Sequence, residues 1–275
     1  MRWMARRAKR MSRRARVLTL LAGLVAAVAY GTALLVPANA EATHGTASPA
    51  PSKSSAISSS GQPFSGLAAV GALFTASGGQ LGSHFCTASV VHSTHGDLAV
   101  TAAHCLGSTQ GQQVVFVPGY ANGKKPYGVW AVTAVYTSQA WQSAQDPDED
   151  VAFLRLSDVN GVPIEHVTGA ERIGTDSAKR TLVRVIGYPG QTDQPISCVN
   201  WAQKFSVTQL EFDCDGYTDG TSGGPFLAAS NASGQATILG VIGGYEQGGD
   251  TENVSYASTF SAPVTALYRD AEAAA

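Results

Sequence analysis

From residue 63 onward the chain is a series of short apolar runs separated by Gly, Ser, Asn, Asp and Pro, with almost no helical period. Twelve runs read as strands. The first six are LAAVGALF (67–74), CTASVVH (86–92), DLAVTAA (97–103), QVVFVP (113–118), VWAVTAVY (129–136) and VAFLRL (151–156). The second six are TLVRVIGY (181–188), ISCVNWAQKFS (196–206), QLEFDC (209–214), GPFLAA (224–229), ATILGVIGGY (236–245) and NVSYASTF (253–260). Leu210, Phe212 and Cys214 alternate with Glu211 and Asp213, as in a strand with one buried face. So many strands without intervening helices imply an all-β fold, either a sandwich or barrels. One helix is expected, PVTALYRDAEAAA (263–275), with Pro263 in its first turn. The turn-rich stretch 158–176 divides six strands from six, giving units over 63–165 and 166–262.

The start of the chain belongs to another class. Residues 2–16 hold eight Lys or Arg and no acid; the apolar run VLTLLAGLVAAVAYGTALLV (17–36) and PANA follow. A basic region, an apolar region and Ala38-Asn39-Ala40 form a secretory signal cleaved after Ala40. The competing reading is an uncleaved anchor, since twenty apolar residues just span a bilayer. SRRAR (12–16) touches a twin-arginine pattern, but Arg16 stands where an apolar residue is wanted. Residues 41–62, rich in Ser, Ala, Pro and Thr, read as a linker or pro-segment. Without residues 1–40, ten bases face twenty acids, a net charge near −10. Such a chain is a poor partner for nucleic acid or an anionic membrane. A secreted, extracellular, monomeric protein is expected, with no membrane contact after cleavage.

Four cysteines lie in the exported part: Cys86, Cys105, Cys198 and Cys214. An even count in an oxidising compartment implies two disulfides with three possible connectivities. Zinc is the rival use, but no Cys-x-x-Cys or His-x-x-x-His spacing is present. No metal or cofactor is expected, although the acidic 146–150 loop leaves calcium open.

The chemistry-bearing stretches are few. LAVTAAHCLG (98–107) puts His104 after an apolar strand, DPDEDVAFLRL (146–156) puts Asp150 before one, and GYTDGTSGGPF (216–226) holds Ser222 among glycines. Each alone has a bland reading: a satisfied core histidine, a strand-edge charge and a hairpin tip. Gly220-x-Ser222-x-Gly224 also matches the nucleophile elbow of α/β-hydrolases, but no histidine follows Ser222, and that elbow requires one. The order His, Asp, Ser is that of the chymotrypsin-type triad.

Over most of residues 64–270 the sequence resembles the chymotrypsin-like serine proteases. HFCTASVV (84–91), TAAHC, DEDVAFLRL, DGTSGGPF and ILGVIGGY (238–245) resemble that family's motifs, in its order. The resemblance implies two six-stranded antiparallel β-barrels packed together with a C-terminal helix, and hydrolysis of proteins or peptides by His104, Asp150 and Ser222. It pairs Cys86 with Cys105 and leaves Cys198 with Cys214. It assigns the oxyanion donors to the backbone of Gly220 and Ser222, and the substrate pocket to Asp215, Gly216, Tyr217, Thr218, Gly243, Gly244 and Tyr245. Gly243–Tyr245 would pair with the substrate backbone as an added strand. Packing alone is the bland reading of Tyr217 and Tyr245.

Two departures matter. Thr221 stands where the trypsin branch has Asp, so an ion pair with a freed N-terminal amine cannot shape the oxyanion turn. Thr218 and the Gly–polar–Ser pattern resemble the bacterial glutamyl endopeptidase branch. Ile242, however, occupies the place of that branch's pocket histidine, which puts glutamate specificity in doubt. The alternative function is a protease-fold binding protein without activity.

Overall fold

The computed structural model describes residues 57–274 except 108, 110, 176–178, 232 and 233. The signal, its cleavage site and most of the 41–62 tract lie outside the described residues. A two-residue strand β1 (Gln62–Pro63) precedes β2 (Val70–Ser77), β3 (Gln80–Val91), β4 (Leu98–Thr101), β5 (Gln113–Pro118), β6 (Trp130–Thr137) and β7 (Ala152–Leu156). Strands β2 to β7 close an antiparallel barrel in the order β2-β3-β4-β7-β6-β5. After the short β8 (Arg172–Ile173) come β9 (Arg180–Gly187), β10 (Ile196–Lys204), β11 (Gln209–Asp213), β12 (Pro225–Ala228), β13 (Thr237–Ile242) and β14 (Val254–Thr259). Strands β9 to β14 close a second barrel, β9-β10-β11-β14-β13-β12, with β1 added on β10 and β8 on β13. Closure matters because it removes the unpaired edges that an open sheet would expose.

All twelve expected strands are present, with shifted ends. Strand β3 begins six residues before the expected Cys86, because Gly78 and Gly79, both at positive φ, turn β2 back on itself. Strand β13 stops at Ile242, short of the expected Tyr245, because the chain turns at Gly244 (φ 83°). The helices are α1 (Gln139–Ala144), α2 (Ile164–Thr168) and α3 (Ala262–Ala273). Only α3 was legible. The other two are six and five residues long, too short to show an apolar stripe. In α1 a local signal replaces periodicity: the Ser138 hydroxyl accepts from Trp141 N–H at the first turn.

Apolar burial falls into three groups. Leu73, Ala88, Ala99, Phe116, Trp130 and Leu154 fill the first barrel, and Val185, Cys198, Phe212, Phe226 and Ala257 fill the second. A third layer joins Val70, Val100 and Phe153 to Ile186, Val241, Phe260 and Val264 of α3. Leu98 and Val100 therefore face one group while Ala99 faces another. That two-sided burial is why LAVT is apolar throughout instead of alternating. The disulfides Cys86–Cys105 and Cys198–Cys214 are both formed, one to each barrel, and no free cysteine remains among the described residues. No described helix is long and apolar enough to cross a membrane.

Candidate active site

Sheet register places His104 beside Asp150. Strands β4 and β7 are antiparallel, and Thr101 at the end of β4 pairs with Ala152 at the start of β7. His104 lies three residues beyond that end and Asp150 two before it, so both project from the same rim of the barrel. The His104 ring Nδ1 is 2.7 Å from Asp150 Oδ2. Two backbone N–H groups also donate to the carboxylate, His104 N to Oδ1 at 2.8 Å and Gly244 N to Oδ2 at 2.9 Å. Asp150 is fully buried, so these bonds substitute for the water it has lost. The disulfide to Cys86 pins the residue after His104 to the neighbouring strand.

Ser222 sits on the turn leading into β12, and the bonding of that turn is nearly complete. The Thr218 carbonyl accepts from both Thr221 N (3.1 Å) and Thr221 Oγ1 (2.8 Å). Asp219 O accepts from Gly190 N at 2.7 Å, and Gly220 O from Thr87 Oγ1 at 3.0 Å. Thr221 O accepts from Gly224 N at 2.9 Å, and Ser222 O from Thr87 N at 2.8 Å. Gly223 N donates to Ile242 O at 2.8 Å. Every carbonyl from 218 to 222 is thus held, whereas the N–H groups of Gly220 and Ser222 have no acceptor among the described residues. In a trans peptide the C=O and N–H point in opposite directions. Fixing Asp219 O and Thr221 O therefore fixes where the N–H groups of Gly220 and Ser222 point.

Glycine is required here. Gly220 has φ +94°, and a Cβ would lie 2.6 Å from both Gly190 N and Tyr188 O. Gly223, at φ +78°, has no room for one either, with Thr101 Oγ1 and Thr87 O in the way.

A cleft of about 690 Å³ opens beside the turn, lined by His104, Gly220 and Ser222 on one side and by the 246–252 loop on the other. Tyr217 and Thr218 also line it. Tyr217 is nevertheless mainly a packing residue of the second barrel: it is buried, its hydroxyl donates to Val185 O at 2.8 Å, and burial raises its pKa. Asp215 is exposed and lies outside the cleft, its backbone bridged to Ser59 and Gly61.

Gly243, Gly244 and Tyr245 flank the Asp150 carboxylate. Their N–H groups donate to Tyr256 O, Asp150 Oδ2 and Gln209 Oε1 respectively. The chain then coils into a short 3₁₀ turn, Tyr245–Gly248. The Tyr245 ring stacks with Phe205 and Tyr256 at centroid distances of 5.1 and 5.0 Å.

Several cleft residues fall outside the pocket expected from the sequence. Phe85 and Gln191 form part of the wall, and four exposed carboxylates surround the opening: Asp219, Glu246, Asp250 and Glu252. No Lys or Arg is among the lining residues. Gln209 ties the acidic loop down, donating from Nε2 to Asp148 Oδ1 at 2.8 Å. Among the described residues, Cys86, His104 and Cys105 form the one trio of ligand-type side chains close enough to share an ion, and its two sulfurs are bonded to each other.

Comparison with known proteins agrees with this geometry. Residues 86–259, more than half of the chain, match the trypsin-like peptidase domain family. The structure is similar to that of the protease Anisep from Arthrobacter nicotinovorans, with 25% identity, a TM-score of 0.65, and coverage of 78% of this chain and 99% of that one. It shares its fold with a thermostable serine protease, AL20, from an extremophilic microorganism (24% identity, TM-score 0.64, 76% and 98% covered). It also shares its fold with a Glu endopeptidase (16% identity, TM-score 0.61, 79% and 99% covered). No curated protein matches the chain. The family match runs from within β3 to the end of β14 and includes His104, Asp150 and Ser222, and the chain belongs to the trypsin-like serine peptidases, hydrolases that cut within polypeptides.

Proposed function

We propose that this chain is an exported endopeptidase working through an acyl-enzyme on Ser222, with His104 as base and acid and Asp150 as its orienting partner. The observation that carries this reading is the Ser222 turn. Its carbonyls are all bonded, while the N–H groups of Gly220 and Ser222 remain available in the cleft shared with His104.

The chemistry follows from these positions. Asp150 accepts a hydrogen bond from Nδ1–H of His104, which leaves Nε2 as the acceptor. Ser222 Oγ attacks the scissile carbonyl carbon and its proton passes to Nε2. The carbonyl oxygen becomes an oxyanion held by the two N–H groups. Collapse breaks the C–N bond, and His104 returns the proton to the departing amine. Water then attacks the ester by the same path, releasing the acid and restoring Ser222. Among the described residues the Ser222 hydroxyl has no hydrogen-bond partner, and contacts of this kind tighten when substrate arrives.

The cleft also bears on substrate. With Ile242 in place of a pocket histidine and four carboxylates at the opening, an acidic side chain meets repulsion and a cationic one attraction. We therefore read the substrates as peptides with Lys or Arg near the scissile bond. Two disulfides and the near −10 charge suit an extracellular monomer, released by cleavage after Ala40 and without affinity for nucleic acid or membrane. Residues 41–62 serve as the linker or pro-segment ahead of two barrel units.

Casein clearing by the purified chain tests the activity, with Ser222→Ala as control. Clearing by the parent chain alone is the expected result. A folded parent chain that clears nothing supports the inactive binding protein instead.

A further inference from the structure

Thr87 follows Cys86 in β3 and is fully buried. Its backbone N–H donates to Ser222 O at 2.8 Å. Its hydroxyl donates to Gly220 O at 3.0 Å and accepts from Tyr188 N at 3.0 Å. Its carbonyl accepts from Thr101 Oγ1 at 2.7 Å, at the end of the strand that leads to His104. One residue therefore touches both residues that supply oxyanion donors and is tied to the strand carrying the base.

A hydroxyl has one proton to give and can accept in return. At Thr87 both capacities are used, and water cannot reach the side chain to replace either bond. Gly220, at φ +94°, has little conformational preference of its own, so the orientation of its peptides has to be imposed by neighbours. In the trypsin branch an aspartate paired with a freed amine does this. Here Thr221 occupies that place, and its hydroxyl is committed to Thr218 O.

We propose that Thr87 is a positioning residue for the oxyanion turn: its hydroxyl holds the 220–221 peptide, which links the two donor peptides, so that the flanking N–H groups of Gly220 and Ser222 converge with no N-terminal amine involved. It acts through the turn and touches neither substrate nor reacting atoms. The proposal rests on the reading of Ser222 as nucleophile.

The test compares Thr87→Val, which keeps the shape and loses the hydroxyl, with Thr87→Ser, which keeps the hydroxyl. The readings are kcat and KM on a peptide amide, and inhibition by a peptide aldehyde and by the matching peptide alcohol. The aldehyde forms a tetrahedral adduct that needs the oxyanion donors, and the alcohol does not. Thr87→Val is expected to lose about tenfold to a hundredfold in kcat, with KM within about threefold. Aldehyde affinity should fall in proportion, alcohol affinity should hold, and the pH profile should keep its midpoint. Thr87→Ser should recover most of kcat. A folded Thr87→Val with full kcat overturns the proposal, as does equal weakening of aldehyde and alcohol, or failure of Thr87→Ser to recover. Should Thr87→Val not fold, Thr87→Cys, nearly isosteric and a weak donor, carries the same readings. A parent chain that neither cleaves peptide nor binds aldehyde overturns the Ser222 reading and the Thr87 role together. An active parent with an unaffected Thr87→Val overturns the Thr87 role alone.

Discussion

Asp150 receives one side-chain and two backbone donors while having no exposure to solvent. An amide there would offer His104 Nδ1 a donor or a weaker acceptor, and the ring would settle in the wrong tautomer. Asp150→Asn is therefore expected to lower kcat by about 10⁴-fold with a smaller change in KM. Steady-state kinetics on a folded variant checks this, and unchanged kcat contradicts it. The candidate residues His104, Asp150 and Ser222 were legible because each sits in a distinctive local stretch, TAAHC, DEDVAFLRL or DGTSGGPF, and because chain order excludes the rival elbow. Thr87 was not legible. In CTASVV it reads as an ordinary strand residue, and only the packing of the two barrels brings it to Gly220, 133 positions away. Gln209 and Asp150 hold two of the three N–H groups of Gly243–Tyr245, a commitment that the glycine-rich sequence does not display.

Among the elements, β3 and β4 do most to position the site, and the two disulfides divide the work. Cys86–Cys105 joins β3 to the His104 turn, whereas Cys198–Cys214 lies within the second barrel between β10 and the end of β11. Each closes a loop of similar length, and removing either should cost about 3 kcal/mol. The effect on activity should differ: paired Cys→Ser changes at 86 and 105 lower kcat at temperatures where the chain is still folded, and those at 198 and 214 mainly lower Tm. Thermal melts alongside initial rates separate the two, and equal kcat losses contradict the assignment. Glu171 supplies a pH-dependent link between the barrels. Its backbone bridges Val90 and His92, its carboxylate accepts from Ala236 N, and burial raises its pKa against that hydrogen bond. An acid whose pKa is raised by folding contributes stability that is full below the unfolded value and lost as pH rises through the folded one. Glu171→Gln lacks that loss. Its Tm relative to the parent should therefore rise between pH 4 and pH 7, and a difference independent of pH would count against a titrating Glu171. The strands were legible from apolar runs and turn residues. Helices α1 and α2 were not, since one and a half turns leave no periodic trace.

Residues 41–275 hold twenty acids against ten bases, and four of the carboxylates line the cleft beside Ser222. Their attraction for a cationic peptide acts through solvent and is screened within about 10 Å at 0.1 M salt. For a peptide with Lys or Arg near the scissile bond, kcat/KM should fall several-fold as salt is raised from low ionic strength, while a neutral peptide changes little. A peptide-library profile should be depleted in Asp and Glu at the same positions. Enrichment of Glu, as expected of a glutamyl endopeptidase, contradicts this. The fold class was legible from the sequence because strand alternation and turn placement are local. The charge around the cleft was not, because residues 219 and 246–252 meet only across the folded turn. The central claim is that His104 and Asp150 activate Ser222 for covalent chemistry. Its most direct test is a fluorophosphonate probe on the purified chain, followed by peptide mapping of the adduct. A single adduct on Ser222, lost in His104→Ala, is the expected result. A folded chain that takes no label, or takes it at another residue, contradicts the account.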